Sequence, residues 1–207
     1  MTIKDAKLNF IIDVATELFL ERSIATVTVK DIADRAGVGE ATIYRYFKQK
    51  QNLVCAVAEK LQKQVFQEYY ATISGSGYAK LEAFFEAYTK IFANHREFYR
   101  FIGDFDAYLL SENLSAGKSY SDGVDHFRNL FLSAYQEGIA DGSVRKLEAD
   151  PEVFYYATAH AMLALCKNRS VEREIVPQDG AMDKQIEVDE MKRVILFSLA
   201  APQTDAE

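Results

Sequence analysis

Apolar residues recur every three or four positions along nearly the whole chain, and no stretch alternates with period two between hairpin turns, so the pattern predicts an all-α fold. Leu8, Ile11, Ile12, Ala15, Leu18 and Phe19 place a first amphipathic helix over roughly residues 4 to 21. Thr28 offers an N-cap hydroxyl with Asp31 three positions on, the spacing of a capping box, so a short helix begins there and stops before Gly37. A second short helix is expected over Glu40 to Phe47, and a longer one over Gln51 to Tyr70 with Leu53, Val57, Leu61, Val65, Phe66 and Tyr69 on its apolar side.

Ser74-Gly-Ser-Gly-Tyr78 is a flexible connection and marks a boundary between packed units. Beyond it, Leu81, Phe84, Phe85, Tyr88, Ile91 and Phe92 form one helical stripe and Phe98, Phe101, Ile102, Phe105 and Leu109 another, parted near Asn94 and His95. Ser111 to Tyr120 reads as polar loop, and Phe127 to Ile139 as a helix closed at Asp141-Gly142, where glycine suits a C-terminal cap. Asp150-Pro151 starts a further helix that runs to about Val171, since Asp accepts free amide hydrogens and Pro is preset for a first turn. Pro177 and Gly180 break the chain, and Met191, Val194, Ile195 and Leu199 define a last helix ended by Pro202.

Charge sharpens this division. The 207 residues carry a formal net charge of -7, which argues against an anionic partner until its distribution is considered. Residues 1–50 hold eight Lys/Arg against seven Asp/Glu, a net of +1, so the acidity belongs to the remainder. Between Thr42 and Lys63 five basic residues are opposed only by Glu59, so a local basic face is available. With 49% hydrophobic and 27% charged residues, collagen-like and mostly disordered chains are excluded. The first residues lack an apolar signal region and no stretch is long and apolar enough to span a bilayer. Cys55 and Cys166 lie far apart in apolar segments, as suits thiols in a reducing compartment, so a cytoplasmic location is expected.

The informative segment lies between Val29 and Phe47. Ala33 is small enough for a second helix to approach, Gly37 permits a turn with positive φ, and Ile32, Val38 and Ile43 fill a shared core, which together describe a helix-turn-helix. Exposed polar and aromatic residues follow on the second helix. The run TVTVKDIADRAGVGEATIYRYFKQKQNLV, Thr26 to Val54, resembles the DNA-binding signature of the TetR family of bacterial transcriptional regulators, and the likeness extends over residues 5 to 57.

That resemblance implies a three-helix DNA-binding head at 1–50, a connecting helix at 51–73, and a helical body at 74–207 that binds a small-molecule effector and dimerises through the last two helices. It implies that Thr28 caps the second helix and meets phosphate, and that Lys30 reaches a base edge or the backbone. Gly39, Glu40, Ala41 and Thr42 open the recognition helix and face base edges. Glu40 departs from the small or neutral residues common there: its carboxylate can accept from cytosine N4 yet is repelled by phosphate, so its contact stays open. Tyr44, Arg45 and Tyr46 flank the groove, and Tyr46 and Lys50 grip phosphates, with Lys48 as a weaker candidate. Helical aromatics are also ordinary core, the reading that suits Phe47 but not Tyr46.

Other constellations fail. Ala116-Gly-Lys-Ser119 lacks the first glycine and the preceding strand of a phosphate loop. His95, His126 and His160 lack metal-ligand spacing, and His160 and Cys166, six apart on a helix, point to different faces and make no nucleophile and base. No catalytic, cofactor or metal signature is present. Of the 26 Phe and Tyr, 18 follow residue 73. Tyr99, Phe101, Phe105, Phe127, Phe131, Tyr135 and Tyr156 can line a largely apolar effector cavity with His95 and His160 as polar anchors, although each alone equally fits a filled core. The helix after Pro151 is apolar nearly all round, which suits an interface between subunits. The sequence therefore points to a ligand-responsive repressor that binds a palindromic operator as a homodimer. A helical protein-interaction module, or an enzyme with its site in the body, is the alternative.

Overall fold

The computed structural model describes residues 2–171 and 177–201. Among them are nine α-helices: α1 (Ile3–Glu21), α2 (Val29–Ala36), α3 (Glu40–Phe47), α4 (Lys50–Val65), α5 (Gly77–Asn94), α6 (Arg96–Ser111), α7 (Lys118–Ala140), α8 (Pro151–Arg169) and α9 (Lys184–Leu199). A π-helical turn, Phe66–Tyr70, continues α4, and a 3₁₀ turn covers Pro177–Ala181. No strand occurs among the described residues, only an isolated antiparallel bridge between Val144 and Ala200. The all-α expectation holds.

Element boundaries depart from the pattern in three places. The long fourth helix converts to π geometry at Phe66, a change of hydrogen-bond register that an apolar stripe does not reveal. The loop after α6 is shorter than the polar stretch suggested, because Lys118, Ser119 and Tyr120 already form the first turn of α7. α9 begins at Lys184, where Asp183 accepts from the amides of Gln185 (2.8 Å) and Ile186 (3.3 Å), about two turns before its apolar stripe starts at Met191. Pro202, expected to stop this helix, lies outside the described residues.

Two compact units result. The first comprises residues up to Gln64 together with Arg100–Gly123, and the second Val65–Tyr99 together with the chain from Val124 onward. Residues 100–123 thus join the head, whereas a division at the Ser74 linker puts them in the body. Their anchors in the first unit are long-range polar contacts from one face of α6. Arg100 donates to the Leu20 carbonyl at 2.7 Å, and the Asp104 carboxylate accepts from the Ile24 amide at 2.5 Å and the Ser23 hydroxyl at 3.0 Å.

Within the first unit, α1 buries Ile11, Val14, Ala15, Leu18 and Phe19, α2 buries Ile32, Ala33 and Ala36, and α3 buries Ile43 and Phe47. Gly37 ends α2 at φ 62°, ψ 36°, the left-handed conformation that a side chain disfavours, and the Val38 amide closes the turn on the Ala33 carbonyl at 3.0 Å. The turn after α3 has Lys48 at φ 62°, a strained position for a residue with a Cβ, held by Asn52, whose side-chain amide donates to the Phe47 carbonyl at 2.6 Å.

In the second unit, Leu81, Phe84, Phe85, Phe92, Phe131, Met162 and Leu199 are fully buried. Arg169 on α8 and Glu187 on α9 pair at 3.0 Å, and Lys192 on α9 bonds Glu86 on α5. Asp150 caps α8 through the amides of Glu152 (2.7 Å) and Val153 (3.4 Å) with Pro151 in the first turn, as its sequence indicates. The start of α5 depends on a close approach to α7. Asp141 accepts from the Gly77 amide (2.8 Å) and Ser143 from the Tyr78 amide (3.0 Å), satisfying donors that a helix start leaves open. A Cβ on Gly77 would sit 2.0 Å from the Gly138 backbone nitrogen. Gly77→Ala is accordingly expected to lower unfolding free energy by about 3 kcal/mol in urea titrations. Gly117→Ala, whose Cβ meets nothing within 4 Å, should stay within about 0.5 kcal/mol of the parent.

Candidate nucleic-acid interface

The two short helices of the head are set by their caps and by one buried edge each. At the start of α2 the Thr28 amide and hydroxyl both donate to the Asp31 carboxylate, at 2.7 and 2.8 Å, and the Asp31 amide donates back to the Thr28 hydroxyl at 3.0 Å. These bonds hold the Asp31 carboxyl below the ordinary carboxylate range, the backbone amide contributing most. They also engage the single hydroxyl proton of Thr28, so a phosphate contact by that hydroxyl requires it to turn its proton away from Asp31. Lys30, one residue into the helix, is exposed.

α3 is amphipathic over two turns. Ile43 and Phe47 face the core, which leaves Gly39, Glu40, Ala41, Tyr44 and Arg45 exposed and Thr42 and Tyr46 half-buried. Tyr44 keeps 48% of its surface, so it is displayed rather than packed, and the Arg45 guanidinium lies 5.5 Å from the centre of the Tyr46 ring. Gly39 supplies no side-chain cap, so the first amides of α3 point outward without a side-chain partner, the arrangement that attracts anions to helix starts. Phe47 takes the core role that its position suggested.

Lys50 is placed differently from the other candidates. It is half-buried, its ammonium donates to the Ile24 carbonyl, and it lies 5.4 Å from the centre of the Tyr108 ring. Burial lowers its pKa, partly offset by Asp104, Glu112 and Asp31. This lysine therefore ties the α1–α2 loop to α4 and α6, and reaching a phosphate means giving up those contacts.

The nine residues suggested for an effector cavity do not converge on one wall. Phe101 and Phe105 belong to the first unit, where their rings stack at 6.1 Å. His95 sits near the surface of the second unit, its Nε2 3.3 Å from Glu68 and its Nδ1 3.5 Å from Glu97. It adjoins an open groove lined by Glu68, Glu82, Glu86 and Lys90, too polar for the apolar cavity expected. Tyr156 and His160 lie on the exposed side of α8 with rings 5.6 Å apart. Only Tyr99, Phe127, Phe131 and Tyr135 share the aromatic core, and the Tyr135 hydroxyl there accepts from the Leu147 amide at 3.0 Å. Helical spacing shows which side of a helix is apolar but not which helix that side meets, which explains the scatter.

Sequence reading missed a polar group inside the same core. Tyr70, Tyr88, Tyr99, Tyr155 and Cys166 come from four elements spread over 97 positions, and no local spacing links them. Cys166 is buried and His160 exposed, so the two do point to different sides of α8. Among the described residues no cluster of three or more His, Cys, Asp or Glu is placed to hold a metal ion, and no helix is long and apolar enough to cross a membrane.

Comparison with known proteins agrees with this geometry. Residues 11–57 match the sequence profile described as bacterial regulatory proteins, tetR family. The chain is 27% identical over 145 residues to the HTH-type transcriptional repressor KstR2 of Rhodococcus jostii (strain RHA1), spanning 69% of this chain and 70% of that one. Its fold is similar to that of the ketosteroid transcriptional regulator KstR2 of Mycobacterium tuberculosis, with TM-score 0.63 and 18% identity, over 97% of this chain and 98% of that one. It is likewise similar to the transcriptional regulator FadR of Bacillus subtilis in complex with stearoyl-CoA, with TM-score 0.66 and 19% identity, over 92% and 98% of the two chains. The profile match covers α2, α3 and the adjoining parts of α1 and α4, so the head is similar to the helix-turn-helix of the tetR family of bacterial regulatory proteins.

Proposed function

We propose that the protein is a homodimeric transcriptional repressor, released from a pseudo-palindromic operator when a small, largely apolar effector binds its body. The observation that carries this reading is α3, which buries Ile43 and Phe47 and presents Thr42, Tyr44, Arg45 and Tyr46 on its other side. A helix held that way can enter a major groove with its N-terminal residues against base edges. In this reading Ala41 and Thr42 choose sequence, while Lys30, Tyr44, Arg45 and Tyr46 position the head on the backbone. Gly39 lets the backbone approach closely, and Glu40 is placed to accept from cytosine N4. Thr28 and Lys50 act mainly through the stability of the head.

Dimerisation is supported by the outer faces of the last two helices. Val153 on α8 keeps 62% of its surface and Phe197 on α9 keeps 76%, and exposed Tyr156, Ala157, Ala161 and Ala164 on α8 and Ile186 and Val194 on α9 extend the apolar character. Apolar surface of this kind on a monomer marks an interaction site. Two copies joined there place two recognition helices for half-sites about 34 to 36 Å apart. The relatives named above include a repressor and a regulator crystallised with stearoyl-CoA, which favours an effector with a long apolar portion. Release follows if that effector binds a head spacing other than the operator-competent one more tightly.

Two experiments test this reading. With a duplex selected from a random pool, fluorescence anisotropy is expected to show that Tyr46→Ala weakens binding to every sequence roughly tenfold, as loss of one charge-assisted phosphate contact does. Arg45→Ala is expected to reduce the slope of log affinity against log salt by about one, and Thr42→Ala to change which duplex is preferred. Parental affinity and preference in all three variants would refute the interface. In sedimentation analysis Phe197→Asp is expected to convert a dimer to a monomer, and a dimer of unchanged strength removes α9 from the interface.

A further inference from the structure

The turn between α1 and α2 is built as one block. The Ser23 carbonyl accepts from the Thr26 amide at 3.0 Å, the Val27 amide at 3.2 Å and the Thr26 hydroxyl at 2.9 Å. Ile24 and Val27 are wholly buried, so the block is also fixed from within. Its last residue adjoins Thr28, the N-cap of α2. Arg22 bridges the same stretch, donating to the Thr26 carbonyl at 3.2 Å and lying 3.9 Å from the Asp31 carboxylate. A turn tied in this way has little freedom of its own, and displacing Ile24 displaces the start of α2.

Both main-chain polar groups of Ile24 are held by side chains of opposite charge from two other helices. The amide donates to the Asp104 carboxylate of α6 at 2.5 Å, and the carbonyl accepts from the Lys50 ammonium of α4. The second oxygen of Asp104 accepts from the Ser23 hydroxyl at 3.0 Å. Hydrogen bonds between a main-chain group and an ionised side chain are stronger than neutral ones. Asp104 is also the charge that does most to offset the effect of burial on Lys50. All of these residues belong to the first unit, and none lies on α2 or α3, the helices read as facing DNA.

We propose that Asp104 is a positioning residue for DNA recognition: with Lys50 it clamps Ile24 from both sides and so sets where α2 begins and the tilt at which α3 meets the major groove. This rests on the DNA-binding reading above and adds a residue that acts on DNA through the turn. The sign of its effect sets it apart from a surface charge. A carboxylate in a DNA-binding head is repelled by phosphate, so charge alone predicts that removing it tightens binding. A positioning role predicts the opposite. Without the clamp, Thr28 and Lys30 at the start of α2, and α3 carried with them through the Gly37 turn, have to be ordered on binding, which weakens affinity.

The test is fluorescence anisotropy of the full chain on the duplex selected from a random pool, at a temperature where circular dichroism shows parent and variants equally helical. Asp104→Ala is expected to bind about tenfold more weakly than the parent, the loss that two charge-assisted bonds predict. Asp104→Asn keeps an oxygen for the Ile24 amide and is expected to recover most of that loss. A contact that only stabilises the fold lowers the melting temperature and leaves the affinity of the folded protein unchanged. Asp104→Ala binding as tightly as the parent or more tightly, or Asp104→Asn binding as weakly as Asp104→Ala, overturns the proposal. Should Asp104→Ala not fold, Ser23→Ala, which removes only the outer bond of the clamp, takes its place: binding about threefold weaker is expected, and parental affinity overturns the proposal. These failures leave the DNA reading intact, whereas a parent that binds no duplex sinks that reading and this proposal together.

Discussion

The left-handed turn at Gly37 is the constraint on which the rest depends. A helix of two turns has room for one buried edge, and the turn sets the packing of α3 on α2, in which Ile43 and Phe47 of one helix and Ile32, Ala33 and Ala36 of the other are buried. Once Ile43 and Phe47 are committed, the period of 3.6 residues turns Ala41, Tyr44 and Arg45 outward. The display of hydroxyls and a guanidinium on one side of α3 is therefore a consequence of packing on the other. The same logic gives the head its limited tolerance: Ala33 is 1% exposed in a contact between two helices, and a larger side chain there moves α3 before it alters any exposed residue of that helix.

The body is built on a different principle. Many of its core side chains are aromatic and meet edge to face or stacked, and aromatic pairs specify geometry more than aliphatic ones do. Within that setting a polar group has to be satisfied or be useful. Most are satisfied: Tyr135 holds the Leu147 amide, Tyr99 the Tyr88 carbonyl, and Thr89 the Glu86 carbonyl.

The head was legible in the sequence because its constraints are local. The Thr28–Asp31 box, the glycine at 37 and the apolar positions at 32, 43 and 47 lie within twenty residues, and each has a steric or hydrogen-bonding reason readable at fixed spacing. The caps at Asp150 and Gly142 were legible for the same reason. What stayed hidden depends on partners distant in the chain. Lys50 reads as a lysine free to grip phosphate until the Ile24 carbonyl and the Tyr108 ring are brought to it. Residues 100–123 read as body until Asp104 meets the Ser23–Ile24 backbone. Phe101 and Phe105 carry the same helical stripe as Phe98 yet belong to the other unit, and no periodicity distinguishes them.

Because α3 is turned outward by what it buries, the bound protein ought to shield the floor of the major groove. Dimethyl sulfate footprinting reports this directly, since it methylates guanine N7 in the major groove and adenine N3 in the minor groove. On a selected duplex the protein is expected to protect guanine N7 in two windows about one helical turn apart, with adenine N3 between them still reactive. Protection of adenine N3 alone, or stable binding with every guanine N7 reactive, contradicts the claim that this helix is the element that reads DNA.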